Sequence, residues 1–101
     1  MTKKLPHDLA KRILTSSSSE TSIETFEEFE MAFKSTSWYV RRVAVKSHFF
    51  TKEKMDEALA DISFYVQEAA IESPHFDDNY LESILKSGDK FLIEKALVRL
   101  S

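Results

Sequence analysis

Apolar residues along this chain recur at helical spacing rather than in the strict alternation of strands. After Asp61, the residues Tyr65, Val66, Ala69 and Ala70 fall on one helical face. Ser73-Pro74 ends that helix, because proline disfavours helical backbone in the residue before it. Asp77 then caps a second helix with Leu81, Ile84 and Leu85 inward. Ser87-Gly88 closes it, glycine supplying a left-handed end.

The same pattern lies upstream. The segment beginning at Ser37 aligns without a gap with the segment beginning at Ser63, which sets a repeat period of twenty-six. Tyr39 matches Tyr65, Val40 matches Val66, Ala44 matches Ala70, Ser47 matches Ser73, Phe50 matches Phe76, Met55 matches Leu81 and Leu59 matches Leu85. Phe29 and Phe33 extend the register backwards, and Phe91, Leu92 and Ala96 extend it forwards. Gly88-Asp89 suggests a local shift of about a residue there. Thr25, Thr51 and Asp77 form one column of N-cap residue types, and Ser35 and Asp61 form another. Helices are expected near 37–46, 52–60 and 89–99, and an opening helix near 6–15 with Leu9, Ile13 and Leu14 inward. Upstream of Ser35, the inner face is read as Phe26, Phe29, Ala32 and Phe33. Thr25-x-x-Glu28 and Thr21-x-x-Glu24 are equally good capping boxes for it. The polar run Thr15–Ser19 reads as a loop.

These elements predict an all-α fold: a short α-solenoid of stacked antiparallel helix pairs, about seven helices in one domain. Residues 1–34 form an irregular N-terminal capping unit, 35–60 and 61–88 are repeats, and 89–101 is a C-terminal half-repeat. One glycine and two prolines in 101 residues supply few of the special turns a sheet-rich fold needs. Asp61, Val66, Ala69-Ala70, Ser73-Pro74, Leu81, Leu85 and Asp89, with the pair Val40-Arg41, resemble the HEAT-like and leucine-rich-variant family of helical repeats over residues 35–98. That resemblance implies a stacked helical array that binds other macromolecules along one face.

Composition narrows the setting. A 43% hydrophobic, 31% charged chain is balanced as a soluble globular protein. Cysteine is absent, which removes disulfides and thiolate metal sites. No stretch is apolar enough for a signal peptide or a bilayer span, so a cytoplasmic protein with no membrane partner is expected. The net charge of −3 is striped: basic at the start, acidic over 19–34, basic over 35–54, and wholly acidic over 55–84.

No catalytic constellation emerges, so no enzyme, cofactor or metal is expected. His7, His48 and His75 are dispersed, and in the cluster His75-Phe76-Asp77-Asp78 the acids read as the cap and first turn of a helix. Two charged surfaces remain. Arg41, Arg42, Lys46, Lys52 and Lys54, joined by Lys3, Lys4, Lys11 and Arg12, would make a phosphate-binding strip, with Trp38 and Tyr39 available to stack a base. The next repeat inverts that charge, replacing Arg42 by Glu68 and Lys46 by Glu72. Tyr39, Tyr65 and Phe91 are read as core, and Arg41 as a salt bridge or cap contact to the Asp61-type position of the next unit. The acidic columns persist instead: Glu30, Asp56 and Glu82 share one register position, and Glu27 and Glu53 share another that ends at Asn79. The favoured expectation is a protein-binding adaptor or inhibitor. It would use Glu27, Glu30, Glu53, Asp56 and Glu82, with Trp38 as an anchor, against a partner with a basic surface. In its sharpest form the acids imitate a nucleic-acid backbone in a basic groove, a form that suits small viral or mobile-element regulators. Direct nucleic-acid binding is the alternative. The apolar 89–99 helix adds a route to a homo-oligomer.

Overall fold

Ser37, Ser63 and Asp89 stand one repeat period apart, and each opens a helix from an extended backbone with its side chain accepting a hydrogen bond from the first turn. The computed structural model describes residues 5–15 and 22–101. Among these the chain is all-α, with seven α-helices and no strand. They are α1 (His7–Thr15), α2 (Phe26–Phe33), α3 (Trp38–Lys46), α4 (Met55–Leu59), α5 (Phe64–Glu72), α6 (Leu81–Ser87) and α7 (Lys90–Leu100). A single 3₁₀ turn leads into α4 at Lys52–Lys54 and into α6 at Asp78–Tyr80, again at the repeat period.

The period therefore holds without slippage through the last helix. The shift expected at Gly88-Asp89 does not occur, because Gly88 takes a left-handed φ of 73° and turns the chain without an added residue. The caps also fall differently from expectation. Ser35 and Asp61 are not N-caps; with Ser87 they sit two residues earlier and accept from the backbone N–H of Ser37, Ser63 and Asp89 in small side-chain turns. In the column Thr25, Thr51 and Asp77, Thr25 caps α2, whereas Thr51 and Asp77 stand at the start of the 3₁₀ turns that lead into α4 and α6, and Thr51 makes no side-chain cap bond. Of the two capping boxes, Thr25 caps α2 by accepting from Glu28 N at 3.1 Å, while Thr21 lies outside the described residues. The polar run after Thr15, residues 16–19, lies outside them as well; Thr15 itself ends α1 with its hydroxyl donating to Lys11 O.

By internal packing the chain divides after Phe50 into two units. In the first, α2 packs on α3, and Leu9 and Ile13 of α1 are buried with Ile23, Phe29, Ala32, Phe33, Val43, Ala44 and Phe50. Phe29 stacks on Phe33 at 5.4 Å between ring centres, and Phe33 meets Phe50 at 6.3 Å. Arg12 ties this unit together. Its guanidinium donates to Ser22 O and to both carboxylate oxygens of Glu28, and it lies 3.1 Å from Glu24 and 3.4 Å from Asp8.

In the second unit α5 packs against α4 and α7, and α6 packs against α7. Met55, Ala58, Val66, Ala69, Ala70, Ile71, Phe76, Ile84, Leu92 and Ala96 form its core. Each large side chain of that set gains about 1.5–3 kcal/mol from burial. The alanines at 70 and 96 hold one register column and let α5 and α7 approach closely.

Four apolar expectations fail. Leu14, Phe26 and Leu85 are 72%, 52% and 50% exposed. Tyr39, Tyr65 and Phe91 are exposed by 37%, 51% and 57%, so this aromatic column is not core. Each member lies next to a residue of the buried face, and a step of one residue turns a helix by about 100°. That places the aromatic rings on the flank of the face marked by Val40, Val66 and Leu92.

Candidate functional site

The charged side chains separate into those engaged in the fold and those left facing solvent. Glu68 and Glu72, which replace Arg42 and Lys46 in the register, both reach Lys95 of α7, at 3.3 and 3.1 Å. Their charge raises the Lys95 pKa, chiefly through the hydrogen bond to Glu72. The charge inversion visible in the sequence thus joins α5 to α7. Glu28 is similarly committed: its hydrogen bond from Arg12 holds its carboxyl below the usual range, and it also accepts from Glu24 N.

Asp77 caps its 3₁₀ turn by accepting from Asn79 N at 3.0 Å and pairs with Lys52. The pairing lowers the Asp77 pKa and raises that of Lys52. The Lys52 ammonium also lies 5.6 Å from the centre of the Tyr80 ring, and Tyr80 Oη donates to Lys52 O at 3.4 Å. His75 is exposed in the turn before Asp77. Among the described residues no group of three His, Asp or Glu side chains is placed to hold a metal ion.

The basic strip loses members in the same way. Lys52 is paired with Asp77, and Lys54 lies 3.9 Å from Glu57. Arg41 donates to Ser35 O at 2.9 Å. Gln67, its register equivalent, donates to Asp61 O at 2.8 Å and to Leu59 O at 3.3 Å. This position is a carbonyl clamp that closes the end of the preceding second helix. Arg41 therefore makes a cap contact at the Asp61-type position of its own repeat. Arg42 and Lys46 are half-buried on α3.

The acidic columns are treated differently. Glu27 is exposed and Glu30 half-buried on α2; Glu53, Asp56 and Glu82 are exposed on the second helix of each repeat or the turn that leads into it. Among the described residues Glu82 pairs only with Lys86, one helical turn on and itself 76% exposed. Among the same residues Glu27, Glu30, Glu53 and Asp56 form no ion pair. Trp38 is 44% exposed and packs edge-on against Tyr39, 5.8 Å between ring centres. The exposed aromatic column is the feature that the sequence reading misses. Its signal is present, since each ring precedes the valine or leucine of the buried face by one residue and so lies off its centre.

No protein-family model matches the chain, and comparison with curated proteins and with solved structures finds no match. Among the described residues no helix is long and apolar enough to cross a membrane.

Proposed function

We propose that this chain is a non-enzymatic binding module that engages a basic surface of a partner protein through the acids of its second helices. One observation carries the reading. The acids at the structural positions, Glu28, Glu68, Glu72 and Asp77, are each held by a cation of the chain. Glu27, Glu30, Glu53 and Asp56 recur at the repeat period with no such cation among the described residues. Surface charge of that kind is readily solvated and effective at steering an oppositely charged partner. Trp38 supplies an amphipathic ring of the type that anchors interfaces. The rival reading, nucleic-acid binding, is weakened because Arg41, Lys52 and Lys54 have intramolecular partners.

The test is capture from nuclease-treated native extract at low and at high salt, with wild type against the triple variant Glu30→Lys, Asp56→Lys, Glu82→Lys. A protein held by the wild type at low salt, released at high salt and ignored by the folded triple variant supports the reading. Equal retention of that protein by both baits sinks it. A gel shift of wild type with DNA or RNA, abolished by Arg41→Glu with Arg42→Glu, would favour the rival.

A further inference from the structure

We propose that the exposed face of α7 receives one further amphipathic helix, supplied by a partner protein and carrying an aromatic residue followed four positions later by a lysine or arginine. The template is inside the second unit. Helices α5 and α7 begin at the same register position, and α5 already receives such a helix, namely α7. There Phe64 meets Phe91 edge-on at 4.9 Å, Glu68 and Glu72 hold Lys95, and Arg99 donates to Ser73 O at 3.3 Å.

Carried forward by one repeat, the receiving positions Phe64, Glu68, Ile71 and Glu72 become Lys90, Glu94, Leu97 and Val98. On α5 Ile71 is fully buried and the Glu68 side chain is only 21% exposed. On α7 Leu97 is 50% and Val98 69% exposed. Glu94 is exposed and forms no ion pair among the described residues. An acid in the Glu68 position, flanked by two uncovered apolar side chains, is complementary to a basic residue on an apolar helix face. Lys90 replaces the Phe64 ring, and an ammonium there still favours an aromatic residue above it. Val98 replaces Glu72, so one acid rather than two would hold the incoming cation. This face is distinct from the acidic columns, and the inference stands without them.

The probe is a synthetic, N-acetylated peptide with the sequence of residues 87–101, because that segment fills the equivalent place on α5. A helix this short is marginal in water, so binding to the isotope-labelled full chain is expected to be weak. It should be saturable, with amide shifts centred on Lys90, Glu94, Leu97 and Val98. Glu94→Lys in the protein, or Lys95→Glu in the peptide, should each weaken binding about tenfold, the size of one lost charge-assisted hydrogen bond. The two changes together should restore it. Absence of saturable shifts, shifts centred on α5, or indifference to Glu94→Lys would overturn the proposal. So would the same α7 shifts appearing on concentrating the protein alone, which would show that a second copy occupies the face.

Discussion

Replacing Arg12 by alanine removes a side chain that binds Asp8, Ser22, Glu24 and Glu28 together in the first unit. The cost divides unevenly. Asp8 and Glu24 are 85% and 66% exposed, so their pairings contribute little once screened by solvent. Glu28 is only 20% exposed, and the fork from Arg12 reaches both its oxygens. Charge-assisted bonds of this kind are worth about 1.5–3 kcal/mol, so Arg12→Ala should cost about 2 kcal/mol at neutral pH. For a domain of this size that corresponds to a melting point lower by about 10 °C. The pH dependence gives the sharper check. Glu28 has a folded pKa below its usual 4.5, so its contribution is complete above that value and is lost as pH falls through the depressed one. The gap between wild type and Arg12→Ala should therefore be full at neutral pH and narrow in acid. Denaturant unfolding followed by circular dichroism measures it, and a double-mutant cycle with Glu28→Gln isolates the pair. A coupling below about 0.5 kcal/mol, the level of an exposed pair, would refute this account of Arg12. A pH-independent gap would refute it as well.

Two further measurements test the repeat. Gly88→Ala should destabilise by about 1 kcal/mol through its positive φ alone, since an added Cβ meets nothing within 4 Å, and Gly88→Asn should cost less; equal melting points for all three chains would contradict that. Ile71→Ala should cost about 3 kcal/mol, while Leu97→Ala at the same register position should cost under about 1 kcal/mol, because only the first is buried; equal losses by chemical denaturation would mean that α7 is covered in solution.

The helices, their order and the repeat are legible in the sequence because each rests on local chemistry. Serine, threonine and aspartate satisfy helix starts, Pro74 and Gly88 end helices, and alanines mark close approach. The exposed column Tyr39, Tyr65 and Phe91 is misjudged when recurrence is equated with burial. A ring recurs equally well on the flank of a buried stripe. The bond from Arg41 to Ser35 O is not legible in the sequence, since a guanidinium reaches any carbonyl within its length. The pairing of Lys95 with Glu68 and Glu72 depends on how two helices lie side by side, which no local pattern encodes. At the candidate surface the acidic positions can be read from the register, but which acids the fold consumes cannot.

The regular period of the caps makes chain length quantised in this protein. Inserting or removing one whole repeat between equivalent positions returns every cap, clamp and buried alanine to its own column. One extra residue within a helix instead turns all that follows in that helix by about 100°, carrying core residues toward water. Growth of such a chain by whole repeats therefore meets little resistance from folding, whereas growth by single residues is confined to the turns. Duplication of the entire unit is thus the permitted route by which a protein of this design can gain reach.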